Sequence, residues 1–187
     1  ETVISDETWK CSESPILMDM VFYGEHYDAR LEQAGWCSSG FKDYGWENAV
    51  LKKAPEGKMI AHTACPDRVM EVLKPVKTEK TGEGNYRIDF GQEISGWVHL
   101  KNMNGEAGRK IEIRYIHRVP SGENSYIMKG SGDESYHARF NWFVFREVEI
   151  LNWPGELKDG QVTAEAVYTR IETSGKFKCS AGLLEDI

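Results

Sequence analysis

The densest run of chemistry-bearing side chains is Gly24-Glu-His-Tyr-Asp-Ala-Arg30, followed by Gly35-Trp36 and Phe41-Lys-Asp-Tyr-Gly-Trp46. Aromatic, carboxylate and guanidinium groups in a turn-rich segment suit a sugar. Flat rings stack on C–H faces, and charged groups grip hydroxyls. Glu25, Asp28, Arg30, Trp36, Tyr44 and Trp46 are therefore candidate carbohydrate-binding residues. The same content also suits a buried Asp28–Arg30 ion pair and a corner anchored by tryptophan, so both readings stay open.

Glycoside hydrolysis needs two carboxyl groups flanking the scissile bond, and Glu25, Asp28, Glu32, Asp43 and Asp89 could supply them. Spacing alone does not make any two converge. The histidines His26, His62, His99, His117 and His137 fall one to a segment, the usual distribution of surface or satisfied core groups. The sequence holds no nucleophile elbow, phosphate-binding glycine loop, His-Glu-x-x-His or EF-hand loop. Cys11, Cys37, Cys65 and Cys179 form no Cys-x-x-Cys pair, so no zinc site is suggested.

Short period-two segments must position these groups. In 109–116, Ile111, Ile113 and Tyr115 face one way while Lys110, Glu112 and Arg114 face the other; 87–90 and 97–101 alternate likewise. Further strands are predicted at 16–23, 59–63, 68–76, 125–129, 136–141, 143–151, 162–171 and 175–178. Turns are predicted at Thr81-Gly-Glu-Gly84, at Asn102-Met-Asn-Gly105 with its glycine at positive φ, at Pro120-Ser-Gly122, at Gly130-Ser-Gly132 and at Trp153-Pro-Gly155. Without intervening amphipathic helices, the pattern predicts an all-β, antiparallel β-sandwich or jelly roll.

Residues 1–53 read differently, as turns with one clear strand, and hold Trp9, Trp36 and Trp46. They are expected to be a lead-in segment or the end of a preceding β-domain. A boundary falls near Ala54-Pro-Glu-Gly57, a sandwich domain follows over 54–179, and an apolar helical pattern begins in 180–187. With that pattern just starting and no initiator Met, the chain is expected to be part of something longer.

The 187 residues suffice for one large or two modest domains. Charged residues at 28% and apolar residues at 40% argue against extended disorder. A net charge of −7 repels phosphate backbones and anionic lipid, so neither nucleic acid nor a membrane is an expected partner. No apolar run approaches the ~20 residues that cross a bilayer as a helix.

Several ordered motifs carry a resemblance. Trp9-Lys-Cys-Ser-Glu-Ser-Pro-Ile16, the Gly24–Arg30 run, Gly35-Trp36 and Trp46 resemble the end of the N-terminal β-domain of bacterial α-L-rhamnosidases. Ile88-Asp-Phe-Gly-Gln92, Ser95-Gly-Trp-Val98, Ile111-x-Ile-Arg114, Phe145-Arg-x-Val-Glu-Ile150 and Phe177-x-Cys-Ser180 resemble the β-sandwich that follows in those enzymes, galactose-binding-like or concanavalin-like. The resemblance implies a non-catalytic portion that supports an (α/α)6 barrel. That barrel removes terminal α-L-rhamnose with inversion, using two glutamates that would lie beyond Ile187. It implies the chain's own catalytic domain as partner, a rhamnose-containing glycan as a possible ligand, and a periplasmic or extracellular location. Some rhamnosidases hold rhamnose through calcium in a β-sandwich module. No calcium ligands align here, so no cofactor is assigned, and no residue is assigned a catalytic role. The chain departs from the family pattern at Glu93 (usually Asn), at His117 (usually acidic), and at Phe143 and Glu147 (usually His and Tyr).

Overall fold

A computed structural model describes residues 4–58, 60–117, 119–172, 174–175 and 178–180. In chain order its strands are β1 (Lys10–Cys11), β2 (Ile16–Met20), β3 (Gly24–Asp28), β4 (Glu47–Asn48), β5 (Asp67–Leu73), β6 (Lys77–Gly82), β7 (Asn85–Met103), β8 (Lys110–His117), β9 (Val119–Ile127), β10 (Glu134–Tyr136), β11 (Phe143–Leu151) and β12 (Val162–Thr169). A 3-10 turn, Ala29–Leu31, follows β3. The all-β expectation holds. The main sheet runs β2-β3-β9-β8-β11-β7-β12-β5, with β6 and β10 also on β7, and it curls around one core. Among the described residues every pairing is antiparallel except β3 with β9.

The spine is β7, 19 residues long. The segments predicted separately at 87–90 and 97–101 are its two halves. Gly91, at φ +83°, and a register shift opposite it between Phe145 and Glu147 bend the strand without ending it. Its first half pairs with β6 and β11 and its second with β12 and β10. Ile88, Phe90, Ile94, Val98, Leu100 and Met103 of β7 meet Ile111, Ile113 and Tyr115 of β8, Phe145, Val148 and Ile150 of β11, and Val162 and Ala164 of β12. Rings interlock at the centre: Phe145 stands edge-on to Phe90 at 6.0 Å and to Tyr115 at 4.9 Å.

Close approach explains one glycine of the resemblance motifs. A Cβ on Gly96 would lie 1.9 Å from the backbone oxygen of Glu165, so the β7–β12 contact admits no side chain there.

Several expectations are corrected. Of the strand predicted over 59–63, residue 59 lies outside the described residues and 60–63 are exposed irregular chain, with no strand among the described residues paired to them. The strand predicted over 136–141 ends at Tyr136. Positive φ in the 102–105 turn belongs to Asn102; Gly105 is required instead by packing, since a Cβ there would meet Pro154 at 2.8 Å and Met128 sulfur at 2.9 Å. The break predicted at 120–122 lies inside β9. Strands β1, β3, β4 and β6 lie where no strand was predicted. Residues 176, 177 and 181–187, where a strand and a helix start were predicted, lie outside the described residues.

The first fifty residues divide their roles. Strands β2 and β3 join the main sheet, while β1 and β4 form a two-stranded ladder of their own. Side chains tie the intervening loop to that ladder: Trp46 Nε1 donates to Gln33 Oε1 at 2.7 Å, Gln33 donates to Ser12 at 3.0 Å, and Asn48 donates to Glu7 O at 2.9 Å.

Candidate functional site

Strand β3 turns its residues alternately into and out of the sheet, and that alternation decides what the Gly24–Arg30 run can do. Glu25 is 0% exposed. Tyr136 Oη donates to one of its carboxylate oxygens and the Arg139 backbone N–H to the other, each at 3.0 Å. Its own N–H donates to Asn124 Oδ1 at 2.8 Å. Burial of Tyr136 pushes its hydroxyl far above the ordinary tyrosine range, so it serves only as a neutral donor.

Asp28 ends β3 and caps the 3-10 turn, accepting the Arg30 N–H at 3.0 Å. The Arg30 guanidinium grips it in a fork, Nε at 2.9 Å and Nη2 at 2.7 Å, and these bonds hold its carboxyl below the usual range. About half of the Arg30 side chain remains exposed. Between Glu25 and Asp28, Tyr27 stacks on Tyr126 at 5.8 Å under the Arg139 guanidinium, and burial raises its hydroxyl to about 12. The Asp28–Arg30 pair is thus the structural form that the sequence left open.

The aromatic candidates separate. Trp46 is half-buried, bonded to Gln33 and edge-on to Phe41 at 5.6 Å. Trp36 and Tyr44 are 64% and 85% exposed on the loop between Gly35 and Trp46. Of the carboxylates considered for hydrolysis, Glu25 and Asp28 are engaged as above. Glu32 accepts from Tyr27 and Lys129. Asp89 is forked by Arg146 at 2.9 Å, also accepts the Gly91 N–H, and is held at about 2.

Sequence reasoning missed a polar network on the wet face of β7, β10 and β12. Glu165 accepts from Trp97 Nε1 at 2.8 Å and lies 2.6 Å from His99 Nδ1, while His99 Nε2 lies 2.9 Å from Ser135 Oγ. His137 stacks on Trp97 at 5.6 Å and stands edge-on to His99 at 5.0 Å. Burial draws His99 toward its neutral form. Burial alone would raise Glu165, but the donors His99 and Trp97 outweigh it and leave the carboxyl below its usual range. Ser135 has one proton and two nearby acceptors, His99 Nε2 and Leu100 O at 3.0 Å. The period-two alternation of 97–101 puts Trp97 and His99 on one face, but only the pairing of β12 with β7 brings Glu165 to them, and no local signal announces it.

The four departures have partners of their own. Glu93 Oε2 meets His117 Nδ1 at 2.5 Å, so two of them answer each other. Glu147 accepts from Arg87 Nε at 2.6 Å. Phe143 is buried 4.7 Å from Tyr115. For metals, among the described residues no three His, Cys, Asp or Glu side chains are grouped to hold an ion.

Comparison with known proteins gives a consistent set of relatives. The family described as "Alpha-L-rhamnosidase N-terminal domain" matches residues 1–71, and "Bacterial alpha-L-rhamnosidase concanavalin-like domain" matches residues 79–168. An α-L-rhamnosidase of Formosa agariphila is 33% identical over 96% of the chain and 21% of its own length. One from Streptomyces avermitilis is 29% identical over 100% of the chain and 19% of its length, so the chain spans about a fifth of these curated relatives. Among solved structures, an α-L-rhamnosidase from Dictyoglumus thermophilum superposes with a TM-score of 0.90 at 36% identity, covering 99% of this chain and 22% of that one. The Streptomyces avermitilis α-L-rhamnosidase complexed with L-rhamnose superposes with a TM-score of 0.83 at 30% identity, covering 90% and 18%.

Proposed function

Because the chain belongs to the α-L-rhamnosidase family, carrying its N-terminal and concanavalin-like domains, we propose that it is a non-catalytic β-framework. In this reading it supports the catalytic part of a larger enzyme that removes terminal α-L-rhamnose. The observation that carries the proposal is strand β5. It lies at the end of the main sheet with six of its seven residues exposed, Val69, Met70 and Val72 among them, beside exposed Tyr168 of β12. An uncovered apolar edge strand is a liability unless another part of the protein lies over it. The catalytic domain is the natural cover, since about four-fifths of each curated relative lies outside the matched stretch. The engagement of Glu25, Asp28, Glu32 and Asp89 by internal donors favours the same reading, because of the five candidate carboxylates it leaves the exposed Asp43 alone, and hydrolysis needs a pair. The longer polypeptide is expected to act outside the cytoplasm, on rhamnose-containing glycans.

The test is turnover of an aryl α-L-rhamnoside. The longer polypeptide should hydrolyse it and the 187-residue chain alone should not. Hydrolysis of a different glycoside by the longer polypeptide, with no rhamnoside turnover, overturns the substrate; turnover by the chain alone overturns the non-catalytic role.

A second reading, sugar contact by the 24–46 segment, rests on the exposure of Trp36 and Tyr44 beside the half-exposed Arg30. Glu25, Asp28 and Trp46 would then hold the loop and its anchor. Calorimetry with L-rhamnose, with and without calcium, tests it, and silence in both titrations removes it.

A further inference from the structure

A concavity of about 580 Å³ opens on the opposite flank of the sheet from β5, lined by Met18, Phe22, Tyr23, His26, Arg114 and Glu123, with Gly122 at its edge. Strand register builds its floor. Met18 pairs with His26, His26 with Ser125, and Ser125 with Glu112, which sets one row across β2, β3, β9 and β8. The next row along, two residues on, is the pair Arg114 and Glu123. The loop between β2 and β3 supplies the wall. Met20 at the end of β2 and Val21, Phe22 and Tyr23 of the loop are four consecutive exposed apolar residues, with Phe22 at 80% and Tyr23 at 63% exposure.

That wall is fixed in place. Tyr23 N–H donates to Met20 O at 3.1 Å, and Gly24 follows at φ +101°, where a Cβ would fall 1.6 Å from the backbone oxygen of Glu123. Only glycine lets the loop close this tightly onto β9. A fold does not ordinarily spend such a constraint on presenting four apolar side chains to water.

The polar groups specify the occupant. The Arg114 guanidinium reaches Glu112 at 3.3 Å and Glu123 only loosely, at 3.7 Å. His26 Nδ1 is bonded to Ser125 Oγ at 2.9 Å, and its Nε2 has no partner among the described residues. The groove thus offers donors, acceptors and an imidazole nitrogen at the foot of two flat rings, with cation and carboxylate offsetting each other. A ligand with an apolar face, a hydroxylated edge and no net charge complements this; a charged ligand meets one repelling partner, in a chain whose net charge is already −7. We infer that the Phe22–Tyr23 groove is a binding site for a neutral pyranoside, a glycan contact separate from the catalytic part. The choice of rhamnoside as first probe rests on the function proposed above.

The experiment is titration of the 187-residue chain with L-rhamnose, 4-nitrophenyl α-L-rhamnoside, D-glucose and D-glucuronate, by calorimetry and saturation-transfer NMR. Saturable binding of a neutral sugar is expected. Phe22→Ala with Tyr23→Ala should weaken it at least tenfold and Arg114→Ala severalfold, while Trp36→Ala leaves it unchanged. Both aromatic side chains are exposed, so circular dichroism should stay that of the parent. The inference is overturned by absence of saturable neutral-sugar binding, by binding indifferent to the double substitution, by glucuronate binding as tightly, or by a dimer that Phe22→Ala dissociates. Rhamnoside turnover by the longer polypeptide is read separately. It can stand while this titration fails, and a neutral-sugar titration can succeed while that turnover fails.

Discussion

The central strands β7, β8 and β11 and the loop from Ser12 to Trp46 hold their shape by opposite means. In the first, Ile88, Val98, Leu100, Ile111, Ile113, Phe145, Val148 and Ile150 are sealed from water, and rings interlock edge to face. In the second, the links are hydrogen bonds, Trp46 to Gln33 and Gln33 to Ser12, while Trp36 and Tyr44 stand in solvent. Apolar burial contributes ~25 cal/mol per Å² removed from water, whereas an exposed side-chain hydrogen bond nets ~1 kcal/mol or less. The centre therefore supplies the stability, and the loop is the part free to carry exposed aromatic rings. Between them lies β3, which belongs by sequence to the second region and by its pairing with β9 to the sheet that holds the first.

This contrast can be broken at several depths. Phe145→Ala should cost the most, about 3–5 kcal/mol, because it removes a ring from between Phe90 and Tyr115 and leaves a cavity; urea unfolding would register it. Glu25→Ala should cost about 1–3 kcal/mol, because the Tyr136 hydroxyl would be left buried without its acceptor and the Arg139 N–H would lose its own. Glu25→Gln, which keeps one acceptor oxygen, should recover part of that loss in the same measurement.

Acid should expose a smaller contribution. The Asp89 carboxyl is depressed to about 2 from an ordinary 3.8 by the Arg146 fork and the Gly91 N–H. Its folded form binds protons less readily than its unfolded form, so its stabilisation is fully present above about pH 4 and is lost as pH falls toward 2. Asp89→Asn should remove that segment of the acid-unfolding curve while leaving the rest. Trp36→Ala should change stability least, by no more than ~0.5 kcal/mol in thermal melts, because its ring buries little. A large loss there would place the loop tryptophan in the core and erase the contrast.

Much of the centre was legible because period-two alternation is a direct record of burial. Ile111, Ile113 and Tyr115 mark β8, and Val148 and Ile150 mark β11. What escaped lacked that record. Lys77-Thr-Glu-Lys-Thr-Gly82 carries no apolar face and is a strand only because its backbone pairs with β7. Residues 24–28 read as a turn-rich polar patch because carboxylates are expected outside, yet Glu25 faces inward, satisfied by groups 111 and 114 residues away. The local pair Asp28–Arg30 was within reach of sequence reasoning, two positions apart. The network of His99, Glu165 and Ser135 was not, since it depends on which strands become neighbours. The same is true of Glu93 and His117, which look like unrelated departures until β7 and β8 are seen to bring them together.

The parallel ladder of β3 with β9 has a bearing on biosynthesis. His26 lies opposite Ser125, 99 residues later. At a translation rate of roughly 5 to 20 residues per second, the ribosome takes about 5 to 20 s to deliver the second member after the first. During that interval the nascent hairpin of β2 and β3 has a bare backbone edge, the period in which a chaperone would find most to hold.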